Sequence, residues 1–195
     1  MLLSSEFFQR DTLKVAQELL GKVLAVENGG KILKGIIVET ESYIGEDDLA
    51  CHASKGRTKR TETMYQKAGT VYVYLVYGMH HCLNIVTEKE DYPAAVLIRA
   101  VIPVSTSNVD SKDVAISGPG RVCRYFGIDK SFNGSDISSD KIWIEDAGIK
   151  IAPKNIEKSK RIGVDYAKHC KNYLWRFSLP PEIIKNPPCL KRQGG

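Results

Sequence analysis

The sequence predicts an α+β domain: a mostly antiparallel, curved β-sheet with flanking helices and one protruding β-hairpin. Three observations lead there. Short β-branched and aromatic runs recur along the chain, at residues 22–27, 31–43, 72–76, 80–86 and 94–102. Two pairs of these runs are joined by tight-turn signals, Asn28-Gly29-Gly30 and Tyr77-Gly78-Met79. Hairpins of this kind outnumber strand–helix–strand units, so neighbouring strands should run antiparallel. No internal repeat or interdomain linker interrupts the 195 residues, which are enough to bury a core as one domain spanning 1–195.

Each element has its own signal. Asp11 is placed to cap a helix from Thr12 to about Leu20, with Leu13, Ala16 and Leu20 on one face and Gly21 as its stop. A strand over 22–27 turns at Asn28-Gly29-Gly30 into a long strand over 31–43. Residues 44–60 read as a loop: an acidic cluster (Glu46, Asp47, Asp48), then His52, then Lys55, Arg57, Lys59 and Arg60. A short helix is predicted over 62–67. The tyrosine-rich hairpin follows, with Gly78 supplying the positive φ its turn requires. The apolar strand over 94–102 carries a single charge, Arg99, and Pro103 closes it. Residues 105–113 are polar and predict a loop. Pro119 sits at a first helical position and Gly127 at a helix stop. A short strand over 141–145, a basic stretch over 154–161 and an amphipathic segment over 171–179, with Trp175 and Phe177 at the end of the core, complete the domain. The Pro-rich tail over 180–195 is expected to be poorly ordered.

Composition is that of an ordinary globular protein, 43% apolar and 26% charged, but its net charge of +5 is unevenly spread. Residues 1–50 carry 5 basic and 9 acidic side chains; residues 151–195 carry 10 basic and 3 acidic. The four cations within residues 55–60 are either phosphate contacts for a polyanion or a solvated loop. Five cysteines without a CxxC pair, an odd count, fit a reducing intracellular compartment. The N-terminal residues are too polar for a signal peptide, and no apolar window is long enough for a membrane span.

The chemistry concentrates in two stretches. In a strand, residues two apart share a face, so Glu39, Glu41 and Tyr43 should line one side of the long strand's end. A carboxylate two residues from an aromatic ring suits a site that holds a flat substrate beside an activated water; an edge strand with solvated glutamates is the plainer reading. Tyr77 and Met79 at a hairpin tip have no obvious core to fill, which suggests a wedge or a protein contact. Arg99 in an apolar strand needs a partner, and Glu41 is the natural one. Adjacent His80 and His81 should face opposite ways, and no HExxH or paired Cys/His spacing is present, so no metal is expected. Glycine-rich nucleotide loops and a GxSxG elbow are missing too, so no cofactor is expected.

Ile37-Val-Glu-Thr-Glu-Ser-Tyr-Ile-Gly, with His52 nine residues beyond Tyr43, resembles the alkyladenine (3-methylpurine) DNA glycosylase family. So do Gly69-Thr-Val-Tyr-Val-Tyr-Leu-Val-Tyr-Gly-Met with Asn84, Val96-Leu-Ile-Arg-Ala, Ser117-Gly-Pro-Gly-Arg-Val-Cys, Asp129-Lys-Ser-Phe and Arg161-Ile-Gly-Val. The likeness covers roughly residues 8–179; residues 105–113 and His80-His81 depart from it. It implies a metal-free, cofactor-free, monofunctional enzyme, expected as a monomer, that acts on duplex DNA containing alkylated or deaminated purines. Glu41 would be the general base for water, with Arg99 helping to place that water. Tyr43 and His52 would sandwich a flipped base, Tyr74 would close the pocket edge, and Asn84 would crowd the amino group of a normal guanine. Tyr77, with Met79, would enter the duplex. A non-catalytic nucleic-acid-binding module with a tyrosine platform, or a hydrolase of free nucleosides, are the rival readings.

Overall fold

The computed structural model describes residues 1–104 and 115–180; the predicted loop over 105–113 and the tail beyond residue 180 lie outside them. Among the described residues, nine strands form one open, curved, antiparallel sheet, with few helices around it. Strands β1 (Val23–Asn28), β2 (Lys31–Ile44), β3 (Val71–Val76), β4 (His80–Val86), β5 (Ala94–Pro103) and β7 (Ile142–Glu145) run in the order β3-β4-β5-β2-β1-β7. Three short strands add to it: β6 (Ile116–Ser117) on β5, β9 (Arg176–Ser178) on the far half of β2, and β8 (Glu157–Ser159) on β9.

The β1–β2 hairpin forms because Gly29 and Gly30 both take positive φ, 60° and 81°, which a two-residue connection requires and which glycine adopts without strain. Helix α1 (Ser5–Phe8) leads into α2 (Thr12–Glu18), which Asp11 caps by accepting from the Lys14 backbone N–H at 2.9 Å. Helix α2 ends at Glu18, short of its expected end only by Leu19 and Leu20, and at the expected stop, Gly21 (φ 84°), the N–H donates to the Ile37 carbonyl at 2.8 Å and joins the chain to the sheet. The predicted helix over 62–67 is a single 3₁₀ turn, Glu62–Tyr65. At the C-terminal end, a 3₁₀ turn (Lys168–Asn172) gives way to β9, because Phe177 is buried opposite Thr40 as a strand residue. Helix α3 (Pro119–Phe126) starts at Pro119 and ends at Gly127, with φ 69°, as its sequence signals predict.

The two faces of the sheet differ, and the period-two alternation of its strands sets that difference. One face carries Val71, Val73, Leu83, Ile85, Val96 and Ile98 into the main core against α2 and α3. On this side the Thr40 hydroxyl donates to the Ala16 carbonyl of α2. The intervening residues, Tyr72, Tyr74, Cys82, Asn84 and Leu97, face the other way, towards the loops over 45–66 and 161–175. That second face holds the candidate site.

Candidate active site

Strand β2 delivers Glu39, Glu41 and Tyr43 to the second face, as their spacing predicts. Arg99 arrives from β5, where the β2–β5 ladder is irregular: Ile98 pairs with Thr40 and Ala100 with Glu39, which leaves Arg99 as an extra residue between them. Such a bulge re-aims a side chain, and the guanidinium meets both carboxylates. Its Nε donates to Glu39 Oε1 at 3.1 Å and its Nη1 to Glu41 Oε2 at 3.3 Å. Glu39 also accepts from Arg176 Nη1 at 3.1 Å.

Glu41 is fully buried, with a side-chain exposure of 0%. Besides Arg99, it accepts from the Tyr43 hydroxyl at 2.8 Å (on Oε2) and from the Ile162 backbone N–H at 2.8 Å (on Oε1). Burial pushes its pKa above the ordinary carboxylate value; Arg99, the Ile162 N–H and the Tyr43 hydroxyl pull the other way without overcoming it. Burial likewise raises the Tyr43 phenol, and the Glu41 carboxylate adds to that, so Tyr43 stays protonated as a donor. For Arg99, burial works to lower the pKa, but Glu41 and Glu39 outweigh it and hold the guanidinium charged.

Above this cluster lies a cavity of about 450 Å³. Tyr43, His52, Tyr72, Tyr74, Asn84, Leu97 and Arg99 line it, with Ile162, Val164 and Tyr166 from the C-terminal loop and Tyr77 from the hairpin. Glu41 is not itself part of the lining; it sits just behind Tyr43, Arg99 and Ile162, which are. His52 opens a 3₁₀ turn (His52–Lys55) and packs edge-on against Tyr74, with centroids 4.4 Å apart. Its Nδ1 lies 3.0 Å from the Tyr72 hydroxyl. Burial, reinforced by Arg60 and Lys55, lowers the His52 pKa to about 4, so the ring is neutral near pH 7. Asn84 is buried and spends its amide N–H groups on the Tyr72 and Cys82 carbonyls, at 3.2 and 3.3 Å. This fixes the amide plane against the cavity.

Beside the cavity, the β3–β4 turn presents Tyr77 with 90% and Met79 with 72% of their surface exposed. Gly78 has the predicted positive φ, 70°, but so does Tyr77, at 51°, a conformation a non-glycine residue adopts only at some cost. The strand after the turn is held from behind by α3: a Cβ on Gly120 would come within 3.0 Å of His80 Cβ, so only glycine lets the helix pass so close. His80 and His81 occupy successive positions of β4, and among the described residues no cluster of three or more His, Cys, Asp or Glu is disposed to hold a metal ion. No described helix is long and apolar enough to cross a membrane.

The basic loop is not uniform. Lys55, Lys59 and Arg60 are exposed, and Arg60 reaches the cavity wall. Arg57 is instead held by two carboxylates, Glu62 and Asp91, each at 2.7 Å, and lies over the Tyr65 ring. Sequence reasoning assigned no part to Tyr72, Ile162, Tyr166 or the buried Arg161–Asp48 ion pair. Tyr72 could have been found from its i, i+2 relation to Tyr74; the others join the site only through long-range folding.

The family model for methylpurine-DNA glycosylase matches residues 6–182, which takes in every element of this site. The chain belongs to that family. Among curated relatives, proteins provisionally named 3-methyladenine DNA glycosylase are similar to it over nearly their whole lengths. The one from Clostridium perfringens strain 13 is 46% identical, over 92% of this chain and 96% of its own. That of Bdellovibrio bacteriovorus is 43% identical over 94% and 98%, and that of Methanocella arvoryzae 44% over 98% and 96%.

Proposed function

We propose that this protein is a base-excision DNA glycosylase that flips an alkylated or deaminated purine out of duplex DNA and hydrolyses its N-glycosidic bond. The observation that carries this reading is a buried carboxylate, Glu41, held by three donors directly behind an aromatic-walled cavity that opens beside an exposed tyrosine tip. A damaged base enters between Tyr43 and His52, with Tyr74 at its edge. Water reaches Glu41 at the seam between Tyr43, Arg99 and Ile162, where the carboxylate takes its proton as it attacks C1′ and Arg99 holds it in place. Asn84, locked by its two carbonyl partners, stands against the exocyclic amino group of an undamaged guanine.

Flipping costs a few kcal/mol of unstacking and unpairing, and stacking on an aromatic ring returns about 1–3 kcal/mol per base. Two faces in the cavity, together with Tyr77 and Met79 filling the vacated stack, suffice to offset it. Alkylation at N3 or N7 leaves the purine positively charged, which improves it both as a leaving group and as a partner for electron-rich rings. Lys55, Lys59 and Arg60 take phosphates at the cavity mouth; Arg57, already between two carboxylates, mainly shapes the loop. No metal or cofactor enters this scheme.

The experiment is release of free base from a duplex carrying one methylated or deaminated purine. Base release with an intact abasic strand supports the reading. Tight duplex binding without release would favour a tyrosine platform that only binds, and hydrolysis of free nucleosides in preference to duplex would favour a nucleosidase.

A further inference from the structure

A second buried ion pair lies behind the site. The Arg161 and Asp48 side chains have 0% and 1% exposure, and the guanidinium clasps the carboxylate with both terminal nitrogens, Nη2 reaching Oδ1 at 2.8 Å. The same nitrogens donate to the Ser42 carbonyl at 2.9 Å and the Cys170 carbonyl at 3.2 Å. Asp48 in turn accepts from the Ala50 N–H at 3.1 Å and the Ile44 N–H at 3.3 Å. Two regions remote in sequence, residues 42–50 and 161–170, are thereby tied at one point. Buried ion pairs of this kind seldom add net stability over an apolar replacement, and Arg161 Nε is buried without a partner, which makes this one costlier still.

What the pair touches suggests its use. The guanidinium lies 4.8 Å from the Tyr43 ring centroid and 5.0 Å from that of Trp175. Tyr43 lines the cavity and Arg161 does not, so the guanidinium backs the Tyr43 ring from outside. The residue after Arg161 supplies the N–H that binds Glu41 Oε1, and the Tyr43 hydroxyl binds Oε2. Of the three donors on Glu41, two are therefore set by Arg161; the third, Arg99, is set by Glu39.

We propose that Arg161, anchored by Asp48, is a positioning residue that holds Tyr43 and the Ile162 N–H on Glu41, and so fixes the orientation of the general base without touching DNA. The inference rests on the reading of Glu41 as that base. Lysine at 161 keeps the charge but loses the two-pronged clasp and the flat face against Tyr43. Displacing a reacting group by on the order of 1 Å lowers rates by about 100-fold, so Arg161→Lys should slow single-turnover excision by about 10- to 100-fold. Binding of lesion duplex should fall far less, by no more than about 3-fold, because Arg161 touches no DNA and the β2–β5 ladder keeps Tyr43 in the wall.

With its Ile162 donor displaced, Glu41 should hold its proton more tightly. The other charged or titratable groups facing it are Glu39, Arg99, Tyr74, Cys82, the charge at position 161, which lysine keeps, and Tyr43, whose loosened hydroxyl shifts the Glu41 pKa in the same direction. The acid limb of the excision pH profile, and the Glu41 titration followed by carbon NMR of the labelled carboxyl, should both move to higher pH. Ile142→Val, in the core at β7, sets the background: it should lower the unfolding temperature and leave both titrations unmoved. If Arg161→Lys does not fold, the same two readings on Asp48→Asn decide. A folded variant with wild-type excision and an unmoved Glu41 titration overturns the positioning role alone. Absence of base release by the wild-type protein overturns the general-base reading, and the positioning role with it.

Discussion

Glu41→Gln tests the chemistry most directly, and the structure says what else the substitution changes. Glutamine has the same shape, so its carbonyl oxygen can keep the Ile162 N–H, and its amide can face the Tyr43 hydroxyl, which accepts as readily as it donates. Arg99 loses its weaker contact, at 3.3 Å, but keeps Glu39 at 3.1 Å and is not orphaned. The cavity should survive, and lesion-duplex binding measured by fluorescence anisotropy should stay within about 3-fold of wild type. Excision cannot survive in the same way, since an amide takes no proton from water. Loss of a general base costs about 100-fold or more, or about 2.7 kcal/mol of barrier at 1.36 kcal/mol per decade. The substitution also has a stability signature. The folded-state pKa of Glu41 is raised above its ordinary 4.5, so its contribution to stability is present below that value and is lost as pH rises through the folded pKa. Glutamine does not titrate, so relative to wild type the variant should gain stability as pH rises above about 4.5 and through the raised folded-state pKa. Single-turnover excision within about 10-fold of wild type would remove Glu41 from the mechanism. A stability difference that shrank with rising pH would show that the carboxylate is not buried as described.

Tyr77→Ala should fold normally, because the side chain is 90% exposed, yet bind lesion duplex more weakly and excise more slowly; wild-type behaviour in both assays would reduce Tyr77 to a turn residue. Duplex affinity should fall steeply with salt, and Lys55→Ala or Lys59→Ala should each lower the logarithmic salt slope by about 0.9, whereas Arg57→Ala, already paired with Glu62 and Asp91, should leave it nearly unchanged. Proton NMR of His52 should give a midpoint near the value of about 4 set by its burial; a midpoint in the ordinary histidine range would mean the ring is solvated. Borohydride reduction during turnover should trap no protein–DNA adduct, since no lysine lines the cavity among the described residues, and an adduct mapped to a lysine would put an amine in the place given to water.

Much of this was legible in the sequence because it follows from local rules. The hairpin turns, the helix ends at Pro119 and Gly127 and the shared face of Glu39, Glu41 and Tyr43 are each decided within a few residues. The partnership of Arg99 with Glu41 was also legible, because a lone charge in an apolar strand demands a counter-ion; its second partner, Glu39, and the bulge that aims it were not. What escaped was long-range. Arg161 and Asp48 lie 113 residues apart, and nothing local to Asp48 separates it from its exposed neighbours Glu46 and Asp47. Likewise Arg57 looks identical to Lys55 and Lys59 in a run of cations; only the fold brings Asp91 to it.

The charges around the cavity explain how it can suit a cationic base without holding a fixed anion against it. Glu39, Glu41 and Asp48 are matched by Arg99, Arg176 and Arg161, so the cluster behind the wall is close to neutral when all six are ionised. The aromatic part of the wall is neutral as well: burial keeps Tyr43, Tyr72 and Tyr74 protonated, and burial together with Arg60 and Lys55 keeps His52 uncharged. A protonated His52 would repel an N3- or N7-alkylated purine across a stacking distance of a few ångströms, at the low local dielectric where such repulsion is strongest. A neutral imidazole presents only its π face, and a cation over an aromatic face is favoured. The same cations that would hold phosphates at the mouth therefore also keep the inner wall receptive, because they disfavour the one protonation that would close it. Under the proposed function, discrimination would be made by the charge of the substrate against uncharged rings. Neutral lesions gain less from the wall, and they must find a proton elsewhere to leave.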